Sequence, residues 1–152
     1  MSFCNLRLRS PLPKDSSYPK ELKSIGEHIR KRRMDLELSR RTVAERIGIA
    51  RDTLKVWELG RQEIRSAYYP AIIEFLEYNP LAPGDTFAGR LEYCRKTLGM
   101  TQEELAEELG FSDFTFGLWE SRKQVPKKSN LERMKKFFQE RGLLIGIDKY
   151  CE

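Results

Sequence analysis

The chain has 152 residues, 34% of them charged, with a formal net charge of +5 and a pI near 9.2. That length admits one domain or two small ones, and the basic balance is compatible with a polyanionic partner without requiring one. No apolar run approaches the ~18 residues of a membrane span and no secretory leader is visible, while Cys4, Cys94 and Cys151 lie too far apart for a metal site, so reduced thiols in a cytoplasmic chain are expected.

Residues 1–19 carry three prolines together with Arg7 and Arg9 and show no helical periodicity, so they read as an arm outside the fold. A first helix is expected over about Lys20–Leu36, with Leu22, Ile25, Ile29 and Leu36 facing a core and Arg30, Lys31 and Arg32 outward. His28, the single histidine, falls on the outer face with no nucleophile or carboxylate set around it. Leu38–Gly60 then reads as two short helices. Ser39 is an N-cap candidate, and Val43, Ala44 and Ile47 share one face. Gly48 stands where a left-handed C′ residue belongs, Arg51 opens the next helix, Leu54 and Trp57 point inward, and Gly60 ends it. Helix, glycine turn, helix is the helix-turn-helix pattern, whose second helix suits a DNA major groove. Ile72, Ile73, Phe75 and Leu76 predict a covering helix, and the proline-bearing residues 80–85 a short stiff linker.

The pattern returns 62 residues later without a gap: Ala106 falls on Ala44, Gly110 on Gly48, Trp119 on Trp57 and Glu120 on Glu58. Ile25, Ile29, Arg33 and Leu36 likewise meet Phe87, Leu91, Arg95 and Leu98. A fixed period marks two copies of one structural unit. Thr86, Thr101 with Glu104, and Ser129 with Glu132 are expected helix caps of the second copy. Its last helix, about Asn130–Arg141, should bury Leu131, Met134, Phe137 and Phe138. Leu143, Leu144, Ile145 and Ile147 make residues 143–152 an apolar tail expected to dock on the fold or on a partner.

The stretch TQEELAEELG, Thr101–Gly110, with the Trp-Glu that closes each third helix, resembles the phage repressor and Cro-like (XRE-like) helix-turn-helix family. SRRTVAERIG, Ser39–Gly48, departs from that pattern at Arg40 and Arg41. The resemblance covers roughly residues 20–142 and implies that Arg33 pairs with Glu58, and Arg95 with Glu120, as partly buried clamps between helices. It also implies that Arg40 and Gln102 occupy a phosphate-contacting position at the start of the second helix of each unit.

The two copies differ on the helix that would face DNA. Helical geometry and family position make Arg51, Asp52, Lys55 and Val56 the readable side chains of the first copy. Arginine pairs with guanine, aspartate accepts from cytosine and valine meets a thymine methyl, while Lys55 suits a base or a phosphate. Arg41 and Arg61 flank them where a backbone would pass. The second copy places Asp113, Phe114, Gly117 and Leu118 at the same positions. Residues 26–65 hold eleven basic and seven acidic side chains, against six and seven in residues 88–127. Phosphate neutralisation dominates DNA affinity, so the first copy is the better binder. For Phe114 and Leu118, four apart on one face, three readings stand: cover by a local shift or the tail, a protein interface, or contact with thymine methyls. Arg7 and Arg9 in the arm admit a minor-groove role beside the plain one.

The expected architecture is all-α, two tandem units of four to five helices each: an arm at 1–19, a DNA-reading unit at 20–79, a linker at 80–85, a second unit at 86–142 and the tail. The expected function is sequence-specific binding of double-stranded DNA in transcription regulation, most simply as a repressor that is cytoplasmic and nucleoid-associated. A homodimer on an inverted repeat is the expected route to affinity. The competing class is an antitoxin-like or adaptor module holding a partner through the second unit. No catalytic constellation, metal site, cofactor, small-molecule ligand or membrane role is expected.

Overall fold

The computed structural model describes residues 18–143 and residue 146. Arg7, Arg9, Cys4, Cys151, Leu144, Ile145 and Ile147 lie outside the described residues, and so do the arm and tail readings that rest on them. Among the described residues the chain forms eight α-helices and no strand: α1 Ile25–Asp35, α2 Arg40–Ile47, α3 Arg51–Glu58, α4 Tyr69–Leu76, α5 Phe87–Thr97, α6 Gln102–Leu109, α7 Asp113–Glu120 and α8 Lys128–Glu140. The bounds of α1, α2 and α3 reappear in α5, α6 and α7 at the 62-residue offset of the sequence repeat. None of these helices is long and apolar enough to cross a membrane.

Local chemistry sets the helix ends. Ser24 and Glu27 form a reciprocal capping box that starts α1 at Ile25. The helix expected from Lys20 is therefore shorter, and Leu22 lies exposed ahead of it instead of in the core. Leu36, also expected inside, is exposed at the C-cap. Ser39 caps α2, Thr86 caps α5, Ser112 caps α7, and Thr101 with Glu104 makes a second capping box on α6. Gly48 and Gly110 both take left-handed backbone (φ 80° and 68°), which lets α2 and α6 turn sharply into α3 and α7 without a Cβ clash. The Ser129–Glu132 box does not form. Helix α8 starts two residues earlier than Asn130, with Lys127 at the N-cap, which puts Ser129 inside the helix.

Buried side chains gather in two clusters. The first unites Ile29, Val43, Ala44, Ile47, Leu54, Trp57, Ile64, Tyr69, Ile72, Phe75 and Leu76. The second unites Phe87, Leu91, Cys94, Leu105, Ala106, Leu109, Phe116, Trp119, Leu131, Met134 and Phe138, with Leu143 packed against it. Full burial of such a side chain contributes roughly 1.5–3 kcal/mol. These are the faces that the helical periodicity selects, except that Ile25, Ile73 and Phe137 are only half-buried. His28 is not a plain surface residue: it is half-buried, with Nδ1 2.6 Å from the Tyr78 hydroxyl, and desolvation pulls its pKa below the usual value.

The clusters are joined rather than strung on a free linker. Helix α5 packs against α4 and against the 3-10 turn Ser66–Tyr68 that precedes α4. Asn79 donates to the Tyr93 hydroxyl (3.1 Å) and to Thr97 Oγ1 (2.9 Å), while its own Oδ1 accepts from Leu81 N–H. Lys96 Nζ lies 5.8 Å from the centre of the Tyr69 ring. The segment after α4 is therefore fastened to α5 by side chains. At the centre of the second cluster, burial pushes the Cys94 thiol up to about 12. A thiol raised from 9.0 favours folding at full strength below pH 9, and this contribution fades as pH rises toward 12. Cys94 should accordingly resist a thiol reagent at pH 8 in the native chain and react at once in denaturant. Equal rates in the two states, read by mass spectrometry of the Cys94 peptide, would contradict its placement.

Candidate nucleic-acid interface

The site is built from the bottom of α3 outward. Leu54, Trp57 and Glu58 are buried, which fixes the inward side of this two-turn helix. By the 3.6-residue period Asp52 and the half-buried Val56 lie opposite that side, with Lys55 on its flank. Arg51, first residue of the helix, is exposed like Asp52 and Lys55. Arg51 Nε lies 3.8 Å from Asp52 Oδ1, a loose surface pair that leaves both side chains mostly in solvent. The N-cap of α3 is Ala50, which supplies no side-chain acceptor, whereas Ser112 of α7 accepts from Thr115 N–H. The first turn of α3 therefore keeps its N–H groups open to an outside acceptor.

The position of α3 is set by an ion-pair clamp. Arg33 on α1 grips Glu58 in bidentate fashion, Nε to Oε1 at 2.6 Å and Nη2 to Oε2 at 3.1 Å, and its Nη1 donates to the Leu38 carbonyl. The Glu58 side chain has no exposed surface. Arg95 and Glu120 repeat the arrangement at 2.7 and 3.2 Å, with Nη1 donating to the Met100 carbonyl. Both pairs implied by the resemblance are thus present. In the second clamp Arg95 also donates to Ser66 Oγ (3.0 Å), so this clamp reaches across to the turn before α4.

Arg40, expected at a phosphate-contacting position, also has a partner inside the fold, and its side chain stays 37% exposed. Its Nε donates to Glu58 Oε2 at 2.7 Å, which makes it a third member of the first clamp. Gln102 does the same in the second, its Nε2 donating to Glu120 Oε2. Each bond ties the start of α2 or α6 to the end of α3 or α7, while Gln102 stays exposed and Arg40 partly so. Sequence spacing marks the first position of α2 and α6 as shared, but only the fold shows that it points back to the glutamate. Arg41 is exposed and pairs with Glu45 one turn on (3.2 Å), and Arg61 is exposed after the Gly60 turn. Arg46 and Arg65 are exposed cations of the same half that the motif does not single out.

The equivalent face of α7 has another character. Phe114 is 74% exposed, so no described residue covers it. Leu118 is half-buried and Asp113 exposed. Compared with family models, with curated proteins and with solved structures, the chain matches none.

Proposed function

We propose that the chain binds double-stranded DNA sequence-specifically through α3, in the first of its two tandem repressor-like units, and regulates transcription without catalysis. The observation that supports it best is the exposed face of α3, where Arg51, Asp52 and Lys55 stand together beside an uncapped N-terminus. Arginine at that place can pair bidentately with guanine, and the open N–H groups suit a phosphate oxygen. Arg41 and Arg61 supply further phosphate neutralisation. Arg40, with its Nε on Glu58 and its side chain 37% exposed, orients α2 and keeps surface for a phosphate.

Selection of bound duplexes from a random pool tests this reading, and a set of sequences no tighter than the starting pool would end it. Within a selected site, Arg51→Ala is expected to cost roughly 1–3 kcal/mol and to relax the preference at one base pair. Arg61→Ala should weaken all duplexes about equally and lower the slope of affinity against salt. Loss of affinity at Arg51→Ala with unchanged base preference would remove the direct-contact assignment. The competing reading, a module that holds a protein partner, is favoured by the bare Phe114 of α7 and concerns the C-terminal half alone.

A further inference from the structure

Helix α7 carries a glycine at its centre that none of the described residues explains. A Cβ built on Gly117 meets no atom within 4 Å, and its backbone is ordinary helix. Mid-helix glycine weakens a helix, so it is usually retained where something must approach closely. Here that approach comes from outside. By helical geometry Phe114, Gly117, Leu118 and Ser121 share one side of α7, opposite the buried Phe116 and Trp119. The side is uncharged: Ser121 Oγ donates to the Leu118 carbonyl, and Glu120 is held in its clamp. The equivalent residues of the N-terminal half are Asp52, Lys55, Val56 and Leu59, two of them charged.

We propose that this face pairs with the same face of a second copy in antiparallel register, Phe114 of each chain seating over Gly117 of the other. A two-fold contact requires a surface that is its own complement, and a large exposed ring three residues from a vacant glycine provides knob and hole on one face. Charge agrees with the antiparallel sense. Asp113 begins the helix while Arg122 and Lys123 follow its end, all exposed, so pairing brings the acidic end of each α7 beside the basic end of the other. Duplex DNA is the poorer occupant, because Phe114 and Gly117 offer phosphate nothing and residues 88–127 carry no basic excess. The pairing stands independently of the DNA reading; if both hold, it would bring two α3 faces into one particle.

Sedimentation of the full chain without DNA tests the proposal. At tens of micromolar the wild-type chain should sediment as two copies, and Phe114→Ser and Gly117→Gln as one, each keeping its far-ultraviolet helix signal. Gly117→Ala should weaken association at least tenfold while raising the melting temperature of the dilute chain, a split that a purely internal role would not produce. Chains with Phe114→Cys mixed with chains carrying Gly117→Cys should cross-link on oxidation more than either alone. A wild-type chain that stays single at those concentrations overturns the proposal, whether or not Phe114→Ser then alters base preference. Dimers that survive both Phe114→Ser and Gly117→Gln overturn it equally. A chain that pairs but selects no DNA sequence supports the pairing and sinks only the proposed function.

Discussion

Glu58→Ala is expected to lower the unfolding free energy by about 3–5 kcal/mol, measured by urea titration of the helix signal. The lost carboxylate is fully buried and accepts from both Arg33 and Arg40. Arg33 remains 13% exposed, so its guanidinium would stay largely desolvated without its counter-charge. The intact pair need not be strongly stabilising, since burial of two charges offsets most of their attraction. What is costly is half a pair. Replacing Arg33 and Glu58 together by apolar residues of similar size should therefore recover part of the loss. A Glu58→Ala chain within 1 kcal/mol of the wild type would mean that water reaches the clamp and that α3 is held by its apolar side alone.

Gly26→Ala is expected to be at least as damaging for a different reason. A Cβ at residue 26 would lie 1.8 Å from the Trp57 carbonyl oxygen and 2.6 Å from its carbon. Those are backbone atoms and cannot rotate away, so α1 and α3 would have to separate and pull Ile29 and Trp57 out of register. Overpacking typically costs 1–3 kcal/mol, and a clash with backbone belongs at or beyond the upper end of that roughly 1–3 kcal/mol range. At the matching place in α5 the chain has Ala88, buried at 5% exposure, so α5 and α7 already leave room for a methyl. Gly117→Ala, by contrast, enters open space and should stabilise the dilute chain by about 0.5–1 kcal/mol. Two glycines, each inside a helix, are thus expected to respond to the same change with opposite signs. A rise in melting temperature for Gly26→Ala would refute the close α1–α3 contact, and a fall for Gly117→Ala would refute the open space beside α7.

Helix existence and the buried faces were legible because they depend on local spacing. Val43, Ala44 and Ile47, or Leu105, Ala106 and Leu109, fall on one side at any helical geometry, and all six are buried. Gly48 and Gly110 announced their turns because a left-handed residue has few alternatives. The 62-residue offset carried over into coincident bounds for α1 to α3 and α5 to α7 for the same reason. The start of α1 was missed where the apolar Leu22 outweighed the Ser24–Glu27 cap in a reading by periodicity.

What spacing could not supply was the direction of long polar side chains and the distance between helices. The sequence offers Arg40 for a phosphate and Lys55 for a base or a phosphate. In the fold Arg40 Nε donates to Glu58 with its side chain still partly exposed, while Lys55 stays exposed and makes no such bond among the described residues. The difference comes from where the end of α3 passes the start of α2, which no local rule encodes. Likewise Gly26 and Gly117 are the same letter in the same kind of helix. One has the Trp57 backbone against it and the other has no described atom within 4 Å of its Cβ position. The link from Arg95 to Ser66, and from Asn79 to Tyr93 and Thr97, joins residues 14 to 29 positions apart. Repeat and composition establish two similar halves and a charge difference between them, because those follow from residue order alone. Which cations hold the fold and which stand in solvent was decided by the packing of α1, α2 and α3, since a guanidinium serves whichever carboxylate the backbone brings within its reach.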